Sequence, residues 1–176
     1  MRKVLFLLSQ LDDDDLDWIM NTGRKQELRG GTVLIEKGRP ISTLYIVLDG
    51  HVEVDLGDQP IRLGCGEVLG EISLLDSRPP TATVTAAGDA IVLAIDHKDL
   101  QRKLRDDVGF AARFYYSLAT MLAYRIRNTY AQLGYGVDEP MDEDADYEDE
   151  LSPELLDTVH LTGSRFNRAL QKKLAE

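Results

Sequence analysis

Glycines divide the middle of the chain into short apolar segments, and this pattern constrains the fold more than any other feature. Between residues 30 and 96, short runs rich in Val, Ile, Leu and Tyr alternate with glycine-containing turns. Turns that recur about every 8–12 residues are typical of a small barrel or sandwich. The Asp49-Gly50 pair between two such runs predicts a tight hairpin. The clearest strand candidates are residues 32–35, 44–48, 51–54 and 90–95.

Helical patterns flank this predicted β region on both sides. Residues 2–29 carry apolar side chains at helical spacing, and the aspartates at 12–15 can cap a helix and favour its positive end. Consecutive aspartates have poor geometry for a metal site, so a solvated helix start is the favoured interpretation. The apolar positions of this predicted helix are Phe6, Leu7, Leu11, Leu16, Ile19 and Met20.

After the β region, Asp96 can cap a short helix through Leu104, and a longer helix is predicted over residues 107–133. Its apolar residues cover enough of the helix surface to form two stripes. One stripe can pack on the β region and the other on a second copy of the same helix, which predicts a homodimer through 107–133. Arg125 on this seam would then point at a ligand or a partner. The alternative is a plain amphipathic helix lying on its own domain.

Acidic residues are concentrated in one segment. The chain has 31 acidic and 20 basic residues, a formal charge of −11, and residues 138–150 contain nine acids and no base. Without that segment the charge is −2. Self-repulsion predicts a disordered linker over 136–151, which separates a domain at 1–135 from a helical tail at 152–176. The tail would begin at Ser152 and Pro153 and is a candidate site for a protein partner.

Several function classes are disfavoured by composition. A single cysteine, Cys65, excludes an intramolecular disulfide and a multi-cysteine zinc site, and a buried small residue is a simpler interpretation than a haem or redox role. His51, His97 and His160 fit no metal-binding spacing. The sequence contains no paired carboxylates or nucleophile–base set that would indicate an enzyme, and it makes no cofactor certain. The apolar run from residue 4 to 8 is too short for membrane insertion or a signal peptide, so we expect a cytoplasmic protein.

One segment combines residues suited to a sugar and a phosphate. Gly70 allows a left-handed turn or a close approach of the backbone, and the Glu71 carboxylate can accept a hydrogen bond from a sugar hydroxyl. Residues 72–75 could form one helical turn with free N–H groups for an anion. Thr81 and Thr83 add hydroxyl groups. The segment therefore predicts a phosphate–sugar binding site on a β framework.

With these residues in place, the chain from about 5 to 133 resembles the cyclic nucleotide-binding domains of catabolite activators and protein-kinase regulatory subunits. The resemblance rests on residues 31–38, 44–52, 69–74 and 82–84. It implies an α+β, mainly β fold, in which a β-roll or jelly-roll barrel lies between N-terminal helices and a long C-terminal helix. In this family the long helix commonly forms a dimer and can close over the ligand, which would here be cAMP or cGMP.

The resemblance also implies roles for single residues. Glu71 matches the ribose-binding glutamate and Gly70 the glycine before it. Ile72 and Ser73 match the positions whose backbone N–H groups meet the cyclic phosphate. Ala82 and Thr83 match the small or hydroxyl residues that follow the family's phosphate-binding arginine.

That arginine is missing. Pro80 and Thr81 stand nine and ten residues after Glu71, where the family has it. Proline offers neither a charge nor an N–H group, so binding should weaken by about tenfold or more. Arg78 could substitute from two residues earlier, and Arg125 could supply charge from the long helix.

Two hypotheses follow. In the first, the chain is a stand-alone sensor that binds a cyclic nucleotide or another small anion and signals through the long helix. In the second, it is a degenerate domain that serves as a protein-interaction scaffold. A DNA-binding regulator is less favoured, since an acidic run and about 26 residues follow the long helix, too few for a helix-turn-helix module.

Overall fold

A computed structural model describes residues 10–55, 57, 60–132 and 168–175, without the side chains of 124 and 128–132. The helices are α1 (Asp13–Thr22), α2 (Glu71–Asp76), α3 (His97–Asp106), α4 (Val108–Gln132) and α5 (168–175). The strands are β1 (Arg24–Leu28), β2 (Val33–Ile35), β3 (Thr43–Asp49), β4 (Val52–Asp55), β5 (Ile61–Leu63), β6 (Val68–Leu69), β7 (Thr83–Ala86) and β8 (Ala90–Asp96).

The strands form two four-stranded antiparallel sheets, with the orders β1-β8-β3-β6 and β2-β7-β4-β5. One apolar cluster lies between the sheets and takes residues from both. A larger cluster joins the outer face of the first sheet to the helices. The predicted β-roll between helices is thereby confirmed. The cluster between the sheets contains Ile35, Val47, Val52, Leu69, Val84 and Val92.

The predicted N-terminal helix ends earlier than expected. Residues 24–28 form a strand, not the last turns of a helix, and pair with β8 from Arg24 opposite Ala94 to Leu28 opposite Ala90. Gly23 ends α1 where a Cβ atom would lie 2.4 Å from Cγ of Leu93. The close approach to β8 therefore requires glycine, and pairing with that long strand outweighs the helical spacing upstream.

The predicted Asp49-Gly50 hairpin is wrong. The turn is present, with Gly50 at a φ of +75°. However, β3 belongs to the first sheet and β4 to the second, so the two strands do not pair. A Cβ atom on Gly50 would lie 2.4 Å from the Asp89 carbonyl oxygen. The turn is a corner between sheets, packed against the start of β8.

The predicted helix starts are confirmed by their caps. Asp12 and Asp15 form a reciprocal capping box at α1, and the Asp96 side chain accepts a hydrogen bond from the Lys98 N–H at α3. Asp107 accepts one from the Phe110 N–H at α4. These bonds satisfy amide groups that would otherwise lack partners in the first helical turns.

Helix α4 presents one apolar face to the body and leaves another exposed. Phe110, Phe114 and Leu118 are buried in the larger cluster. The second face includes Tyr115, which is 47% exposed. The exposed large apolar side chains of this helix are Val108, Tyr115, Tyr116 and Ile126.

Helix α5 packs on the same body. Leu170 is 7% exposed and belongs to the larger cluster, and the Lys25 ammonium donates a hydrogen bond to the Leu174 carbonyl. The predicted linker at 136–151, the helix start at Ser152 and the first residues of the predicted N-terminal helix lie outside the described residues.

Within the described ranges, no helix combines the length and the hydropathy that a bilayer crossing requires. The same residues include no group of three or more metal-ligating side chains.

Candidate functional site

The Gly70-Glu71 segment forms a sharp turn into a short helix. Gly70 caps α2 with a φ of +83°, which non-glycine residues rarely adopt. A Cβ atom there would lie 2.7 Å from the Thr43 carbonyl oxygen. Glycine is thus required both for the backbone conformation and for the contact with β3. The predicted one-turn helix at 72–75 is present within α2.

Glu71 is the first residue of α2, and its carboxylate contacts the long helix. Glu71 is only 4% exposed. The Arg125 guanidinium of α4 donates from Nη1 to Glu71 Oε1 at 2.5 Å. Because Arg125 is far along the chain, this contact joins the short helix of the candidate site directly to α4.

Arg125 also contacts the strand that leads into the turn. Its Nη2 donates to Glu67 Oε2 at 2.9 Å and to the Val68 carbonyl at 2.7 Å. Glu67 is 7% exposed. Sequence reasoning did not single out Glu67. The signal was present, because Gly66-Glu67 precedes Gly70-Glu71 by four residues and puts a second carboxylate at the same turn.

The charges in this cluster do not favour an anion. Burial raises the pKa of Glu71, while the nearby Arg125 charge and hydrogen bonds oppose that shift and Glu67 adds to it. One guanidinium faces two buried carboxylates. The positive charge that the sequence assigned to a ligand phosphate is therefore already engaged by protein carboxylates.

The loop that should carry the phosphate-binding arginine is held by backbone bonds. The Gly38 N–H donates to the Pro80 carbonyl at 2.8 Å, and the Lys37 N–H donates to Thr83 Oγ1 at 3.2 Å. Thr83 starts β7, Ala82 before it is buried, and Thr81 is exposed. The loop between α2 and β7 is thus fixed to the end of β2 without a cation at residue 80 or 81.

The remaining predicted site residues divide between two places. Ile72 is 53% exposed and Ser73 is 8% exposed on α2. The Arg78 side chain is 83% exposed and lies 4.0 Å from the Asp76 carboxylate. Arg78 and Ser73 line a small cavity together with residues of α3. The structure therefore brings Arg125 to Glu71, whereas Arg78 lies at a cavity that Glu71 does not line.

Comparison with known proteins assigns the segment that carries Gly70 and Glu71 to a family. Residues 25–107 match the family model described as the cyclic nucleotide-binding domain. This segment belongs to that family. The match covers β1 to the end of α3 and includes Gly70, Glu71 and the loop at Pro80. The resemblance inferred from the sequence is thereby confirmed.

Relatives and solved structures agree with this cyclic nucleotide-binding domain. A cyclic nucleotide-gated potassium channel of Rhizobium etli is 30% identical over 54% of this chain and 27% of its own length. A domain structure from Methylobacillus flagellatus has a TM-score of 0.67 at 19% identity, covering 78% of this chain and 84% of that one. The catabolite activator protein of Thermus thermophilus has a TM-score of 0.58 at 25% identity, covering 96% and 87%.

The chain spans about a quarter of the length of curated relatives such as the channel, at 27%. At 19% identity, the Methylobacillus structure supports the fold alone. Residues 25–107 carry the family match and the described strands form the β-roll, and the family is mostly regulatory rather than catalytic.

Proposed function

We propose that this chain is a regulatory module that binds a purine cyclic nucleotide in the β-roll and transmits binding through α4. The observation that carries the proposal is the contact of Arg125 on α4 with Glu71 on α2. A ligand that uses Glu71 acts on a carboxylate that already holds the long helix. Binding and the position of α4 are then energetically linked, as any regulatory coupling requires.

The sugar end of a nucleotide is the better supported half of the site. Glu71 Oε1 accepts from Arg125, and a carboxylate with two oxygens has further lone pairs for a ribose hydroxyl. Because Glu71 is buried, a hydrogen bond made there is protected from competing water. The ribose therefore accounts for most of the specific polar recognition in this proposal.

The phosphate end has only neutral donors. Backbone N–H groups at Ile72 and Ser73 can point at an anion, but Pro80 replaces the guanidinium. A charge-assisted hydrogen bond contributes about 1.5–3 kcal/mol against about 1 kcal/mol for a neutral one. We therefore expect an affinity about tenfold or more below that of a site with the arginine.

A second candidate function has its own support. With Arg125 held by Glu67, Glu71 and the Val68 carbonyl, the link from α2 to α4 is complete without a ligand. A domain in which α2 and α4 are already joined without a ligand can serve as a rigid interaction scaffold. The exposed apolar face of α4 would then be its contact surface, and in either function we propose that a second copy of the chain covers this face.

Calorimetric titration with cAMP and with cGMP tests both candidates. Under the sensor proposal one of them binds, and Glu71→Gln weakens binding by at least tenfold because the variant lacks the carboxylate charge. Glu27→Gln, an exposed change on β1, is the matched control and should bind like the wild type. Thermal melts check that both variants fold. No heat at millimolar ligand would contradict the sensor and favour the scaffold.

A further inference from the structure

A cavity lies between α2 and the first turns of α3. Its volume is about 140 Å³, and its polar lining consists of Ser73, Ser77, Arg78, His97 and Gln101. These residues supply two hydroxyls, a guanidinium, an imidazole and an amide, and none is a carboxylate. Glu71 and the Thr81–Thr83 segment are not among the residues that line it. The cavity therefore shares Ser73 with the proposed nucleotide site but not its carboxylate.

His97 lines this cavity and carries a buried polar atom without a partner. The residue is 7% exposed, and among the described residues no group forms a hydrogen bond with Nε2. A hydrogen bond with the Thr43 main chain favours the protonated ring, and Nε2 is the nitrogen left without a partner. The backbone also fixes the ring position, since the His97 N–H donates to the Ser42 carbonyl at 2.7 Å. Buried polar atoms in folded proteins nearly always have partners, so an unpaired Nε2 points to a ligand or to protonation.

The charged groups around the ring set its protonation. Burial lowers the pKa of His97, and the Asp96 charge and the bond to Thr43 oppose this effect. Asp96 is itself engaged as the cap of α3. From the side of α2, Arg78 and Asp76 form a loose pair at 4.0 Å. The positive end of α3 also disfavours an imidazolium at its first position. A neutral ring is therefore the resting form near pH 7, and a nearby anion would favour the charged form.

We propose that this cavity binds a small oxyanion, held by Arg78 and the serine hydroxyls and by a protonated His97. On binding, Nε2 takes one proton from solvent, so the imidazolium then donates to an anion oxygen and its buried nitrogen gains a partner. Arg78, exposed on the rim, can turn towards the anion because its present partner is only loosely placed. An anion bound there would link α2 to α3, whether or not a nucleotide binds at Glu71.

Sulfate is a suitable probe because it stays doubly charged across the titration range of histidine. Proton-detected NMR of the imidazole groups can follow each ring, since the chain has only three histidines. We expect sulfate to raise the pKa of His97, with chloride at equal ionic strength as the salt control. Since binding takes up one proton, the Kd for sulfate should rise about tenfold per pH unit above the pKa of His97.

Three variants decide the outcome. His97→Asn should remove the pH dependence, and Arg78→Gln, an exposed change that keeps the fold, should weaken sulfate binding by about tenfold. Glu71→Gln should leave the sulfate response unchanged, and its loss would place the anion in the nucleotide site and overturn the inference. An unmoved His97 resonance, or an equal response in Arg78→Gln, would show an adventitious ion only. If His97→Asn does not fold, the wild-type titration and the Arg78→Gln variant still test the proposed oxyanion site.

Discussion

Pro80 stands where a nucleotide phosphate would meet a guanidinium, and only its carbonyl is engaged in the described contacts. That carbonyl accepts from the Gly38 N–H, a bond that any residue at position 80 can keep because it uses the main chain. The position is half-buried, so a longer side chain has a route to solvent or to the ligand. The missing charge is therefore a local feature that one substitution can restore.

Pro80→Arg is expected to increase affinity for cyclic nucleotides by about tenfold or more. The reason is the gain of a charge-assisted contact over a neutral one, at about 1.4 kcal/mol per tenfold change. Calorimetry with cAMP and cGMP measures it. Pro80→Gln is the control, since it removes proline without adding charge and should change affinity little. Unchanged affinity in Pro80→Arg would mean that the phosphate does not lie beside residue 80.

The outcomes for single residues show what local sequence can and cannot predict. The turn at Gly70 and the caps at Asp12 and Asp96 depend on neighbouring residues and were predictable. The partnership of Glu67 with Arg125 was not, because it depends on how α4 lies over β6. A residue's type indicates its chemistry, whereas its partner is set by tertiary packing.

At the scale of elements, one buried ion pair fastens α1 to α4. Arg113 donates from Nε and Nη2 to the two oxygens of Asp15, at 2.6 and 2.9 Å. Asp15 is 2% exposed. Burial by itself would raise the pKa of this carboxyl, but the hydrogen bonds from Arg113 and the Asp12 N–H outweigh it and lower the pKa. Stability from this pair is present above the unfolded pKa of 3.8 and is lost as the pH falls through the lower folded pKa.

Asp15→Asn is therefore expected to lower the free energy of unfolding at pH 7 by about 1.5–3 kcal/mol, as for hydrogen bonds to charged groups. The difference from wild type should shrink as the pH falls below about 4, because the Asp15 carboxyl is protonated first in the unfolded chain and, at lower pH, in the folded one. Urea unfolding between pH 3 and 7 measures this. Asp14→Asn, an exposed change on the same helix, should have little effect at any pH. A constant difference across that range would contradict the ionic explanation.

Two elements could not be predicted from local sequence. Strand β1 is set by pairing with β8, and the turn at Gly50 is a corner because its flanking strands join different sheets. Both depend on distant partners. Strands β2, β3, β4 and β8 and the extents of α3 and α4 were predictable because periodicity and capping are local properties.

At the scale of the whole molecule, the exposed face of α4 is the strongest indication of self-association. Val108 is 79% exposed and Tyr116 61%, and Ile126 further along the helix is 55% exposed. Apolar side chains repeated along one helix face are suited to a second helix of the same kind. Contact through this face would bring the Arg125 residues of the two copies onto neighbouring helices.

We expect sedimentation equilibrium to show a dimer at micromolar concentration, since α4 lacks a partner for this face within the described residues. Tyr116→Lys should weaken the dimer by at least tenfold by placing a charge in the contact. Val33→Lys is the control, because Val33 is 53% exposed on β2, away from α4. A monomeric wild type, or equal effects of the two variants, would contradict a dimer through α4.

Helix α5 has a consequence for the order of folding. Its described part covers residues 168–175, and a helical segment of this length is not stable alone in water. Its Leu170 lies in the cluster that also contains Leu11, at the opposite end of the described chain. Bringing Leu170 to Leu11 reduces the conformational entropy of the long intervening chain before any contact compensates for the loss. Docking of α5 should thus be a late kinetic step, reached only after the surface formed by α1 and α4 is complete.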